Sequence, residues 1–323
     1  MILKSLPKRI LNGNEVTLTI QPLSKKTLVV VGGPTASGKT ALAIAVAQKL
    51  NAEIVSADSR QFFKELTIGT AKPHKNELSM VKHHFIDSHS VSEDFNAADY
   101  GIAATETINK LFEKSNHVVM VGGSGLFIDA VIRGFDELPA SDEQVRAELQ
   151  DRLSNEGIEA LQELLKQLDP ASYDKIDIKN PRRLLRALEV TMVSGQPYST
   201  LIGRGRNSQN RWNNVMVGIE HIREELYRRI DERTAIMIES GLKEEAISVI
   251  AYRSKNALRT VGYTEMFEHL DGKIDLEETQ KLIAQHTRNY AKRQMTWFNR
   301  YDNMNWLQPG SVDQMTDRVL DLL

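Results

Sequence analysis

The chain has 323 residues, 41% of them hydrophobic, with a net charge of −2 and no cysteine. That length suits one large domain with an insert, or two domains, and it allows a sizeable core. The charge excludes a global attraction to nucleic acid or an anionic membrane, no stretch approaches the ~20 apolar residues of a membrane span, and the absent cysteines exclude disulfides and thiolate metal sites. A reducing, cytoplasmic setting fits, and nothing demands more than a monomer.

Met1 to Thr27 carries Lys4, Lys8 and Arg9 with no apolar run behind them, so it does not read as a signal peptide. Asn12-Gly13 between short apolar stretches predicts a β-hairpin turn, and residues 1–26 read as an appendage. Leu28 to Val31 is a continuous apolar run ending at Gly32-Gly33, the pattern of a strand buried on both faces. A helix is predicted over Thr40 to Leu50, a strand over Glu53 to Ser56, a helix over Phe95 to Glu113 and a strand over His117 to Val121 ending in Gly122-Gly123. Strands alternating with helices imply an α/β fold built on a parallel sheet.

After Pro139 the texture changes. Ser141 to Leu168 reads as acidic helix. Residues 182–211 then hold six arginines (182, 183, 186, 204, 206, 211) and one acid, Glu189. Asn180 reads as a helix cap and Pro181 as the first helical residue, which puts Arg182 and Arg186 on one face with Leu184, Leu185 and Leu188 toward the other. Such a charge run is ordinarily a solvated face, and a contact with RNA is the alternative. Gly203 to Asn207 reads as a mobile loop. Beyond Arg223 helices dominate, with one possible strand over Asn214 to Ile219. The expected organisation is therefore a core of residues 27–136 and 212–323, interrupted by a mainly helical insert over 137–211.

Gly33-Pro34-Thr35-Ala36-Ser37-Gly38-Lys39-Thr40 matches the phosphate-loop (P-loop) pattern, with the required strand before it and helix after it. Glycines let the backbone curl so that successive N–H groups face an anion, and the helix start adds a positive dipole end. Lys39 can neutralise phosphate oxygens, and the Thr40 hydroxyl can serve Mg²⁺. The loop predicts polyphosphate binding without telling a nucleotide such as ATP from another ligand. The strand His117 to Val121 ends without an acid, which leaves Asp58, at the end of the preceding strand, as a metal-side carboxylate, a general base or an ordinary turn residue. His83-His84 with Asp87 invites a metal reading, but neighbouring strand residues point to opposite faces, so a structural or substrate-lining role is preferred. Lys281 to Tyr301 interleaves basic and aromatic residues in a way that suits single-stranded RNA, although Trp297 and Phe298 are better read as core anchors.

Together these segments resemble the tRNA dimethylallyltransferases, also called tRNA isopentenyltransferases. The likeness runs from Thr27 to about Trp306. It rests on Gly33 to Thr40, Ser56-Ala57-Asp58-Ser59-Arg60-Gln61, Ile68-Gly69-Thr70-Ala71-Lys72-Pro73, His83-His84-Phe85-Ile86-Asp87, Gly122-Gly123-Ser124-Gly125-Leu126-Phe127, Asn180-Pro181-Arg182-Arg183 with Arg186 to Glu189, Val261-Gly262-Tyr263, and Ala291 to Phe298. The resemblance implies transfer of the dimethylallyl group from dimethylallyl diphosphate to N6 of the adenosine 3′ to the anticodon. It implies Asp58 as general base, and Lys39, Thr40, Mg²⁺ and Arg233 as support for the leaving diphosphate. For the RNA side it implies Asp58, Ser59, Arg60, Gln61, Ser124, Arg146, Arg182, Arg183, Leu184, Leu185, Arg186, Arg259, Thr260, Val261, Gly262, Tyr263 and Thr264. Ser124 stands where the family usually has Thr, and Thr264 where many members carry Lys or Arg. Two other readings share the loop: an ATP-dependent small-molecule kinase, which has no use for an Arg-rich insert, and a non-catalytic RNA-binding module, which needs no base at Asp58.

Overall fold

A computed structural model describes residues 26–136, 138–203 and 212–323, together with the backbone of two short paired strands near the start. Those strands, β1 (Ile10–Leu11) and β2 (Asn14–Glu15), pair antiparallel, while the intervening Asn12-Gly13 lies outside the described residues. The Arg-rich stretch 204–211 also lies outside them, and with it most of the expected mobile loop.

The core begins with β3 (Thr27–Gly32), α1 (Lys39–Leu50), β4 (Ile54–Ser56), α2 (Lys75–Met80), β5 (His83–His84), α3 (Ala97–Phe112), β6 (His117–Gly122) and α4 (Gly125–Ile132). Five helices follow, α5 (Glu143–Glu156), α6 (Ile158–Leu168), α7 (Pro170–Lys175), α8 (Pro181–Ser194) and α9 (Tyr198–Leu201). The chain then returns through β7 (Asn213–Ile219), α10 (Arg223–Glu239), α11 (Leu242–Ser248), α12 (Tyr263–Leu270), α13 (Leu276–Phe298), β8 (Met304–Leu307) and α14 (Val312–Leu320).

The sheet has six strands in the order β5-β4-β6-β3-β7-β8, every pair parallel. β3 lies inside it, buried along its whole length, as its unbroken apolar run requires. One apolar layer, with Leu28, Val30, Met120, Tyr100 and Phe298, covers one face, and a second, with Val29, Val31, Leu42, Val46 and Val217, covers the other. The alternation of Leu28 and Val30 with Val29 and Val31 between the two layers is the period-two geometry of a strand.

The described residues of 138–203 add no strand to this sheet. Helices α5 to α9 build their own small core around Leu149, Leu161, Leu165, Leu184 and Leu188. The acidic helical stretch after Ser141 consists of two helices, α5 and α6. They meet at Gly157, whose φ of 84° only glycine adopts freely. β8 is an additional strand with no clear sequence signal: Met304-Asn305-Trp306-Leu307 at the sheet edge mixes polar and apolar residues, and it packs Trp306 and Met304 where a Cβ on Gly218 would stand.

Candidate active site

In an open parallel sheet the strand C-terminal ends face the ligand crevice. Here those ends frame a cavity of about 770 Å³, whose walls come from the loops after β3, β4 and β6, from α10 and α13, and from Arg182 on α8.

The loop after β3 curls through three left-handed residues, Gly33 (φ 139°), Ala36 (φ 62°) and Gly38 (φ 87°). Two of its carbonyls are held from outside: Arg229 Nε donates to Ala36 O at 2.7 Å, and His221 Nε2 lies 2.9 Å from Ser37 O. Fixing carbonyls outward leaves the N–H side of the peptide planes available to an anion. Thr35 is an exception, because its N–H donates to Gln294 Oε1 at 2.9 Å. The Thr35 N–H is thus already occupied within the protein.

Lys39 begins α1 and donates to Pro34 O. Burial pushes its ammonium from 10.5 down to about 8, the negative charge of Asp58 pulls it back up, and Arg233 pushes it further down. Burial also lowers the Arg233 guanidinium, again opposed by Asp58. One carboxylate and two cations therefore share one poorly hydrated space. Ser37 Oγ, buried beside them, has no hydrogen-bond partner.

On the other side of Asp58, its Oδ1 accepts the N–H of Arg60 at 3.0 Å, an Asx-type turn that aims the carboxylate. Ser124 Oγ accepts the Ser59 N–H (3.0 Å), lies 3.1 Å from Ser59 Oγ, and also bonds the Tyr290 phenol. The phenol is held above its ordinary value, first by burial and then by the charge of Asp58. Arg60 reaches the carbonyls of Asn256 (2.8 Å) and Ala257 (3.2 Å), and Gln61 Nε2 donates to Thr70 O and Ala71 O. These loops are thus tied to one another through side chains as well as through backbone bonds such as Ser124 N–H to Ala57 O (3.3 Å).

The walls are braced by carboxylates. Glu245 accepts N–H groups from Thr67 (2.9 Å), Ile68 (2.8 Å) and Gly69 (2.9 Å) and the Tyr263 hydroxyl (2.6 Å). Glu265 accepts the Gly262 N–H at 2.7 Å and bonds His286 Nδ1 at 2.6 Å. Lys72 and Asp87, from two of the recognised segments, form an ion pair. His84 bonds Glu53 at 2.6 Å while His83 turns to Val81 O, so the adjacent histidines serve opposite sides.

Asp58, Ser59, Arg60, Gln61, Arg182, Arg259, Thr260, Val261, Gly262 and Thr264 all line the cavity with the phosphate-type loop. Other expected RNA-side residues stand differently. Leu184 is fully buried in the small helical core, and Tyr263 is fully buried with its hydroxyl on Glu245, so neither side chain faces a partner. Arg146 and Arg186 both grip Glu189, each at 3.1 Å, and Arg186 also donates to Pro139 O. Glu189 is only 2% exposed and receives the Ser141 hydroxyl at 2.6 Å. The lone acid of the basic segment anchors one of that segment's arginines, Arg186, together with Arg146 from α5. Sequence reasoning missed Gln294, Tyr290, Glu245 and Glu265. Only the first two carried a signal, since both fall in the basic-aromatic stretch. Phe298 is fully buried and Trp297 packs on Gly125, as core anchors.

Among the described residues no three His, Asp or Glu converge on a metal, and no helix is long and apolar enough to cross a membrane. Mg²⁺ keeps several waters and takes one or two protein oxygens plus substrate phosphates. The partnerless Ser37 Oγ beside Thr40 and Asp58, all hard oxygen donors on one cavity, fits that demand.

The family model described as IPP transferase matches residues 61–301. A tRNA dimethylallyltransferase of Flavobacterium johnsoniae is 45% identical, covering 91% of this chain and 95% of its own length. The full-length tRNA isopentenylpyrophosphate transferase of Bacillus halodurans superposes with a TM-score of 0.69 at 34% identity, over 92% of this chain and 96% of that one. A eukaryotic dimethylallyltransferase acting on tRNA shares the fold, with a TM-score of 0.75 at 22% identity over 90% and 75% of the two chains.

Proposed function

Since this chain belongs to the IPP transferase family, whose relatives are named tRNA dimethylallyltransferases, we propose that it moves the dimethylallyl group of dimethylallyl diphosphate onto N6 of the adenosine 3′ to the anticodon in tRNA. The observation that carries the residue roles is the placing of Asp58 against Lys39 and Arg233 in one cavity.

The diphosphate sits in the loop Gly33 to Thr40, with Lys39 and Arg233 on its oxygens. Thr40 would hold a Mg²⁺ ion together with the diphosphate, and the ion would supply charge neutralisation at the leaving group. The N6 lone pair forms the new bond to C1 of the dimethylallyl group while the C1–O bond breaks and its electron pair departs with diphosphate. The amine proton passes to Asp58. Cations on one side stabilise the charge that develops on the leaving oxygen, and the carboxylate on the other removes the charge that develops on nitrogen. The target purine must leave its stack to enter the cavity, which an anticodon loop permits at a cost of about a few kcal/mol.

Arg182 on the insert and Arg259 across the cavity mouth receive RNA phosphates, and residues 137–211 form the arm that grips the tRNA. The enzyme works as a cytoplasmic monomer. Neither a kinase nor a passive RNA-binding module gains support, because the relatives are named tRNA dimethylallyltransferases. The test is transfer of label from dimethylallyl diphosphate to unmodified tRNA, repeated with Asp58→Asn. Loss of transfer with tRNA binding retained supports the reading. Full-rate transfer by Asp58→Asn removes the base assignment.

A further inference from the structure

Gln294 is buried (5% exposed) and spends both ends of its amide on backbone. Oε1 accepts the Thr35 N–H of the phosphate-type loop at 2.9 Å, and Nε2 donates to Gly123 O, in the loop after β6, also at 2.9 Å. The position is made for it. A Cβ on Gly123 would stand 2.2 Å from Gln294 Nε2, so that loop can approach only because it carries glycine there. The residue following Gly123 is Ser124, whose hydroxyl holds Ser59 and Tyr290 beside Asp58. One face of α13 thereby touches both halves of the cavity. Phe298 lies 2.5 Å from a Cβ on Gly32, Trp297 lies 2.2 Å from one on Gly125, and Gln294 sits between the two loops.

We infer that Gln294 is a positioning residue that couples the diphosphate loop to the acceptor-purine side, so that filling one half of the cavity sets the geometry of the other. The inference rests on the transferase reading above. The physical reason is short and stiff. Thr35 belongs to the loop that must adjust when an anion enters. Any shift of its N–H is handed, through one rigid planar amide, to the backbone that carries Ser124 and steadies Ser59 and Asp58. No other side chain hydrogen-bonds both loops among the described residues. Gln294 itself need touch neither substrate.

The mutation to use is Gln294→Met, which keeps volume and removes both hydrogen bonds. Two quantities are read: the ratio of tRNA Kd without and with saturating Mg²⁺-pyrophosphate, and kcat and KM in the transfer assay. For the wild type the ratio is expected to exceed about 5, the lower end of ordinary coupling between two sites. For Gln294→Met it should collapse to about 1 by the same criterion. The Thr35 N–H is spent on Gln294 in the wild type and is not among the groups left to the anion, so KM for the donor should stay within about threefold while kcat falls by about 10²-fold, the usual result of misplacing reacting groups. Gly123→Ala displaces the amide without altering it and should give the same split, which guards against a folding defect peculiar to the first variant. A wild-type ratio of 1, or a variant that keeps wild-type coupling and kcat, overturns the inference. Kd values for pyrophosphate and tRNA that weaken in parallel with a loss of thermal stability, without a kcat-specific defect, also overturn it, since that is a purely structural role. Absence of transfer by the wild type would count against the transferase reading instead.

Discussion

Removing the central cation of the site should make the free protein more stable. Burial depresses Lys39 from 10.5 to about 8 despite the nearby Asp58. That difference corresponds to a charging cost of about 3 kcal/mol in the folded state. Lys39→Met abolishes it but also loses the hydrogen bond to Pro34 O, worth about 1 kcal/mol, which leaves a net gain of about 2 kcal/mol at pH 7. With an unfolding entropy near 2.1 cal/mol/K per residue, the gain raises Tm by about 3 °C. The pH dependence has a definite sign. The folded pKa lies below the unfolded one, so between about 8 and 10.5 the unfolded wild type binds the extra proton and wild-type stability rises with pH. The advantage of Lys39→Met is therefore full below pH 8, shrinks through that window and reverses above it, where only the lost hydrogen bond to Pro34 O remains. Adding Mg²⁺-pyrophosphate at pH 7 should reverse the ranking, because the variant keeps only Arg233 and the loop N–H groups and binds the anion more weakly. Differential scanning fluorimetry of both proteins at pH 7, 9 and 10.5, with and without pyrophosphate, reads all of this. A Lys39→Met protein less stable than wild type at pH 7, or a Tm difference that ignores pH, would refute the reasoning.

The same depression predicts that pyrophosphate affinity of the free enzyme weakens as pH rises through about 8, and because Asp58 holds the Lys39 value up, Asp58→Asn should move that limb to lower pH in a calorimetric titration; an unmoved limb contradicts the pairing. Asp58→Asn should lower transfer by about 10²–10⁴-fold in single-turnover assays while tRNA affinity stays within a few fold. Glu245→Ala strips a carboxylate from four donors and should cost about 2–4 kcal/mol in a denaturant midpoint, with donor KM also raised as the Thr67 to Gly69 wall loosens; no change in midpoint would show the brace to be idle. Arg182→Ala should weaken tRNA binding and reduce the salt slope of log Kd by about one, whereas Glu189→Gln should weaken it by releasing Arg146 and Arg186. Filter binding across a salt series separates the two.

Where local chemistry dictates structure, the sequence was readable. The run Leu28 to Val31, the glycine loop behind it and the capped helix from Pro181 are decided by neighbours within a few residues, and each lies where expected. Met304 to Leu307 was not readable, because a strand of mixed polarity is defined by the partner it joins, here β7, some 90 residues away. Asp58 and Lys39 announced themselves through motifs. Glu245 and Glu265 did not, since a glutamate in a helix looks the same whether it faces water or caps three N–H groups of a distant loop. Leu184 and Tyr263 show the reverse failure. They stand in segments shared with the family's RNA side, yet burial assigns their side chains to packing.

The arrangement of α13 bears on how the protein is made. Phe298, Trp297 and Gln294 close over Gly32, Gly125 and Gly123, residues synthesised long before them. β7 and β8 likewise join the sheet only after the helical insert has been translated. While the ribosome is still short of this helix, the nascent chain exposes bare glycine loops and an unfinished sheet edge, the kind of surface that chaperones screen. Competence for chemistry then arrives late and all at once, so a premature stop codon even a few dozen codons from the end should leave an aggregation-prone fragment instead of a weakened enzyme.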